Sequence, residues 1–276
     1  MKKFNFAVNA LAISFAAIFI KQVGHESAHG ILATLVGAKW TQLNLFFADS
    51  TWIGEPDQLG EGILTGGAAI VNIVIALIAM TMFAKKSAAS NGTLRLFLFY
   101  LTAYNLFAGF GYLLTDPLFY QPGGENLGDW KKIVDMLGGG WNVRLPISLI
   151  GAVGVLWGFF WVARNAHAFI PAEKPARFHY ALLLLLLPYI VNNLLFITAS
   201  TIGPLPPEIV PIVFIQYIFG YFGIGWGAFM SGLWVQAPTG LERSEVPESI
   251  QWGWITSSVI LLAISIFVLL PTFQFS

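Results

Sequence analysis

The 276-residue chain has no cysteine. That excludes disulfide frameworks, iron–sulfur clusters and thiolate metal sites. Charge is scarce as well. Asp, Glu, Lys and Arg make up 10% of the residues, where soluble domains carry roughly 25%. Hydrophobic residues make up 57%. So few charges cannot cover a globular surface, so the outer surface faces lipid. The 14 basic and 14 acidic residues balance, which gives no sign of a nucleic acid or other polyanionic partner. With only four histidines, a histidine-rich membrane di-iron oxygenase is also excluded.

What the chain has in quantity is long apolar runs. A membrane span needs about 20 mostly apolar residues, and seven stretches qualify: 5–37, 61–84, 93–115, 145–164, 178–202, 209–235 and 253–271. The first is too long for one perpendicular crossing, so it is either a tilted helix or one broken near Gly24. Its basic start is like a signal peptide, but no convincing small-x-small cleavage site follows and cleavage would fall next to GHESAHG, so it reads as a retained membrane segment. Between the spans, WTQLNLFF alternates as a short strand or hairpin does. DWKKIVDML has helical spacing, with Asp129 as its expected N-cap. Gly154 and Gly158, and Gly223, Gly227 and Ser231, are spaced for close helix packing in lipid. The expected fold is an all-α polytopic membrane protein of about seven transmembrane helices, with a short strand or hairpin after the first. Lys and Arg at the span ends favour an N-terminus on the inside. A prokaryotic plasma membrane is the expected location.

The apolar first run contains GHESAHG. On a helix, His25 and His29 lie on one face with Cβ atoms ~5–6 Å apart. Each can give a ring nitrogen to one Zn²⁺. Glu26 follows the first ligand and projects beside the metal, where it can take a proton from a water that the metal activates. The alternative is a helix-packing network of His25, Glu26 and His29, but ionisable groups within a membrane are expensive and usually functional. Two neutral imidazoles leave the charge of Zn²⁺ uncompensated, so an anionic third ligand is expected. The loop after the third span lies on the same side of the membrane as the end of the first. It carries Asp116 and Asp129, and Glu125 is a further candidate. Asp129 sits at the start of a helix, where its carboxylate would be rigidly placed; Asp116 has the look of a turn aspartate. Asp135 is expected on the solvent face of that short helix.

Three stretches, HESAHGILATLVGAKW, GGAAIVNIVIA, and YNLFAGFGYLL followed by LGDWKKIV, together resemble the site-2 protease family of intramembrane zinc metalloproteases, peptidase family M50, and its compact M50B-like members most of all. The resemblance covers roughly residues 20–137. It implies one zinc ion per chain, held by His25, His29 and Asp129, with Glu26 as general base. It also implies Asn72 and Asn105 as supporting or substrate-backbone contacts. Residues 1–138 would then be a catalytic core of three transmembrane helices plus the metal-site loop, and 139–276 the C-terminal transmembrane helices of the same membrane domain. The implied reaction is hydrolysis of a peptide bond in or near a transmembrane segment of a membrane-protein substrate. Gly67-Ala68-Ala69 stands where the family usually has Gly-Pro, and Gly128-Asp129-Trp130 where it has Leu-Asp-Gly. Family members usually turn the site towards the cytoplasm, whereas the charge count here turns it outside. Two other classes compete: a non-proteolytic zinc-binding membrane scaffold, and a transporter using Asn192, Asn193 and Gln216. His167 and His179 read as interfacial, and Arg144, Arg164 and Arg177 as anchors at span ends.

Overall fold

In lipid a backbone must satisfy its own polar groups, and a run of apolar residues does so by coiling into a helix. The computed structural model describes residues 2–85, 91–122, 128–203, 205, 207, 209–244 and 246–275. Among them are seven helices long and apolar enough to cross a membrane. They are α1 (Lys2–Leu35), α2 (Gln58–Phe83), α3 (Gly92–Leu118), α5 (Trp141–Asn165), α6 (Lys174–Ile202), α7 (Val213–Trp234) and α8 (Trp252–Leu269). A short helix, α4 (Lys131–Met136), lies between α3 and α5. Helix α1 is unbroken through Gly24, where an added Cβ would meet no neighbour. Its 34 residues extend about 51 Å, well beyond a hydrocarbon core of ~30 Å.

WTQLNLFF does fold as a hairpin. Strands β1 (Ala38–Leu43) and β2 (Ala48–Trp52) pair antiparallel, with a bulge between Trp40 and Gln42. The chain's end supplies β3 (Phe273–Gln274) on the other side of β1, giving the order β2-β1-β3. The hairpin tip is folded inward: Asn44, Leu45 and Phe46 are buried. Asn44 turns the tip by accepting from Phe46 N (3.0 Å) and donates to the Leu270 carbonyl (3.0 Å) and to Thr272 Oγ1 (2.9 Å). Irregular backbone of this kind is tolerated in a membrane protein where protein buries it or a wet cavity adjoins it.

Small residues set the helix spacing. On α5, a Cβ at Gly154 would overlap the Phe110 ring and one at Gly158 would press on Phe107. Gly223 on α7 faces Phe107 as well, and Gly227 faces Val162. Helices α3, α5 and α7 therefore lock through aromatic rings seated over glycines, as the spacing predicts. Arg144 closes the α3 terminus from α5. Its Nε and Nη2 donate to the Pro117 and Leu118 carbonyls at 2.6 and 2.9 Å, serving carbonyls that a helix end leaves without partners.

The bonds at the two ends of the bundle agree with seven crossings. At one end the start of α1 is tied to the segment before α8, with Asn9 Nδ2 donating to the Ser249 carbonyl (2.9 Å). Arg95 at the start of α3 reaches the Glu242 carbonyl and Ser244 at the same end. The hairpin, α4 and the chain's C-terminus gather at the other end.

Candidate metal centre

Lys21, Gln22, His25, Glu26 and His29 are spaced three to four apart, and so share one face of α1. That face points into the bundle: Lys21 and Gln22 are each 1% exposed, His25 2% and Glu26 5%. The two imidazole centroids are 5.0 Å apart and set edge to face. Tyr112 of α3 stacks flat on His25, with centroids 5.2 Å apart and ring planes 3° apart, which fixes that ring's plane.

Asp129 reaches this face because α4 is seated on a glycine groove of α2. A Cβ at Gly66 would overlap the Ile133 side-chain tip, and one at Gly62 would crowd Met136 at 3.2 Å. The turn before α4 is held from α3, where Asp116 Oδ2 accepts the Trp130 backbone N–H at 2.8 Å. Gly128 has φ +137°, and a Cβ there would lie 2.9 Å from both Asp116 oxygens. A side chain is excluded on both counts. One expectation changes here. The N-cap of α4 is Trp130, without a side-chain cap, because the Asp129 carboxylate is turned to the histidines instead. Asp116 sits one step back from them, as the clamp on the turn.

The result is a cluster of three. His25 Nε2 lies 3.2 Å from Asp129 Oδ2, and His29 Nε2 lies 3.5 Å from Oδ1. One ligand atom from each residue falls within 4.8 Å of the others, the sole such group among the described residues. The ring nitrogens facing away are both engaged. His29 Nδ1–H donates to the Leu64 carbonyl at 2.8 Å, which leaves Nε2 with its lone pair inward. His25 Nδ1 is 2.9 Å from the Asn72 amide nitrogen, and Asn72 Oδ1 is buried without a partner. Turning that amide over lets Nδ1–H donate to Oδ1, satisfies the orphan and gives His25 the same tautomer. Asp129 Oδ2 is likewise a buried oxygen without a hydrogen-bond partner. With both rings in that tautomer three lone pairs converge, a donor set suited to a cation. Histidine ligands whose other nitrogen is held by an oxygen are the usual support of a zinc site. The donor set fits Zn²⁺ and leaves a fourth position for chemistry.

A cleft of about 520 Å³ opens onto these residues. The hairpin forms one wall with Phe46, Phe47, Ala48, Ser50 and Trp52, α2 a second with Glu61, Leu64 and Thr65, and α7 adds Val213 and Gln216. Lys132 and Glu61 pair at 3.0 Å along its lining.

The structure thus brings together His25, Glu26, His29, Asp129 and Asn72. It does not bring Asn105: its amide donates to Leu101 of its own helix at 2.8 Å, and it is not among the cleft residues. Glu125 lies outside the described residues. Asn192 bonds Ser14 and Tyr104 across helices at 3.0 and 3.1 Å, whereas Gln216 belongs to the cleft. His167 pairs with the Val235 carbonyl and His179 with that of Pro175. The tip of WTQLNLFF lines the cleft, and β1 pairs along its length with β2 and, at Gln42 and Leu43, with β3. The edge strand nearest the site is β2. No family model, curated protein or solved structure matches the chain.

Proposed function

We propose that this protein is an intramembrane zinc metalloprotease that hydrolyses a peptide bond in or near a transmembrane segment of a partner protein. The observation that carries this reading is the convergence of His25, His29 and Asp129 beside Glu26, in a cleft among membrane spans. Zinc bound by the three residues supplies Lewis-acid activation of water and of a substrate carbonyl. The chain's own residues do the rest. Asn72 and the Leu64 carbonyl orient the two imidazoles, and Tyr112 holds the plane of His25. Asp116 fixes the turn that presents Asp129. Glu26 takes the proton of the attacking water and passes it to the leaving nitrogen. A helical substrate has its carbonyls occupied and must unwind locally. The free edge of β2 can receive the unwound segment as an added strand, with Ala48, Ser50 and Trp52 facing the cleft.

Metal analysis of the purified full-length protein in detergent tests this. One zinc per chain is expected in wild type, lost in His29→Ala and in Asp129→Ala. Glu26→Ala should keep zinc and abolish cleavage of a transmembrane substrate. Activity surviving Glu26→Ala with zinc bound would remove the mechanism and favour a scaffold role. Folded wild type that takes up no zinc would remove the reading altogether.

A further inference from the structure

Resting on that reading, we infer that Lys21, Gln22 of α1 and Tyr217 of α7 form a positioning relay that aims the general base Glu26. A lysine buried in a membrane bundle is costly and calls for a partner. Among the described residues no carboxylate forms a salt bridge with Lys21, whose Nζ instead donates to Gln22 Oε1 at 3.2 Å and lies 5.7 Å from the Tyr221 ring centroid. Tyr217 OH donates to the same oxygen at 3.0 Å. An ammonium has protons only to give, so the Gln22 amide cannot turn over without setting its NH₂ against Nζ. Its orientation is therefore fixed, and Nε2–H donates to Glu26 Oε1 at 2.8 Å.

One oxygen of the base is held by the Gln22 amide, whose orientation Lys21 and Tyr217 define, in a pocket sealed from solvent. Glu26 nevertheless lines the cleft. Tyr217 is itself immobilised, fully buried with its ring stacked on Phe196 at 4.9 Å. The relay thus makes α7 part of the catalytic apparatus without touching substrate or metal. All four side chains lie on two helices, so a shift of α7 would move the base.

The test uses full-length protein in detergent, loaded with cobalt in place of zinc, and the small chelating probe acetohydroxamate, which binds a metal and hydrogen-bonds to a neighbouring carboxylate. Gln22→Leu, Lys21→Met and Tyr217→Phe should each keep one cobalt per chain. Gln22→Leu should bind the probe about tenfold or more weakly, the loss expected for one hydrogen bond to a charged group. Lys21→Met and Tyr217→Phe should weaken it severalfold. In a Glu26→Ala background, Gln22→Leu should have no further effect, a result that a merely structural glutamine would not give. Should Gln22→Leu fail to fold, Tyr217→Phe removes a single oxygen from a packed ring and carries the same comparison. Wild-type probe affinity in the variants, or loss of cobalt with loss of affinity, overturns the relay alone. Cobalt-loaded wild type that ignores acetohydroxamate also overturns it. Absence of metal from wild type overturns the protease reading and the relay together.

Discussion

Gly66→Ala is the sharpest probe of how Asp129, the proposed third ligand, is delivered. The substitution adds one methyl to the α2 face on which α4 rests. That methyl would overlap Ile133 Cδ1, come within 3.2 Å of Ile133 Cγ1 and lie 3.6 Å from the Asp129 carbonyl oxygen. Overpacking of this kind costs about 1–3 kcal/mol, while replacing a helical glycine by alanine returns about 1 kcal/mol. Global stability should therefore move little. Metal affinity should move more, because the methyl presses on Ile133 Cγ1 as well as on its Cδ1 tip, and so on α4 and the turn that carries Asp129. Disturbing the support of a metal ligand typically costs about 10–100-fold in affinity. The assay is competition for zinc against a chromophoric chelator. Ile133→Val removes the overlapping Cδ1 and should cost about 0.5–1.5 kcal/mol of stability by itself with little loss of zinc affinity. Combined with Gly66→Ala it should recover most of the lost affinity, a coupling of about 1 kcal/mol or more. Wild-type affinity in Gly66→Ala, or a double variant no better than the single, would refute the seating of Asp129 on the glycine groove.

Asp116→Ala leaves the Trp130 N–H without its acceptor, a loss of about 1–3 kcal/mol. It should weaken zinc binding yet still reach one zinc per chain at saturation, whereas Asp129→Ala should not; titrating both variants separates a clamp from a ligand. Gly24→Ala should leave zinc content unchanged, since its Cβ meets nothing, and a loss would place a functional break in α1. Zinc retention should fall as the pH is lowered, because protons compete with the metal for the imidazole nitrogens; metal counts across a pH series check this. The absence of cysteine makes orientation simple to read. Single Glu55→Cys and Glu173→Cys variants should label from opposite faces of sealed cells, with Glu55→Cys outside if the basic span ends set the orientation and inside if the family's usual orientation holds.

The spans and the histidine pair were legible because each rests on a local regularity. Apolar length alone predicts the seven helices, and a four-residue interval alone puts His25 and His29 on one face. The side on which the third ligand lies follows from counting crossings. Other features escaped because they depend on who meets whom. Asp129 reads as an N-cap from its neighbours, and only the α2 groove and the Asp116 clamp turn it towards the imidazoles. Gly62 and Gly66 carry the small-residue spacing that elsewhere packs spans together, yet here it receives a six-residue helix. Asn72 and Asn105 look alike in sequence, each an asparagine within a span; one meets His25 and the other bonds its own helix. Lys21 and Gln22 did leave a signal. Each stands four residues before His25 or Glu26, so the polar stripe of the site was already longer than its metal motif.

That longer stripe bears on how the two halves of the chain relate. All three proposed zinc ligands lie within residues 1–138, and their positions alone would make the remainder an appended bundle. The contacts argue for one indivisible domain. Tyr217 fixes the amide that meets Glu26, Val213 and Gln216 form part of the cleft, and β3 completes the sheet whose outer strand borders it. At the far end, Arg95 of α3 depends on the Glu242 carbonyl and Ser244. A buried polar stripe on α1 cannot be left to lipid, where each unpaired group costs several kcal/mol, so the helices that cover it must also bond to it. The C-terminal half is therefore required for the site to exist as described, and residues 1–138 expressed alone should bind zinc poorly even when they reach the membrane.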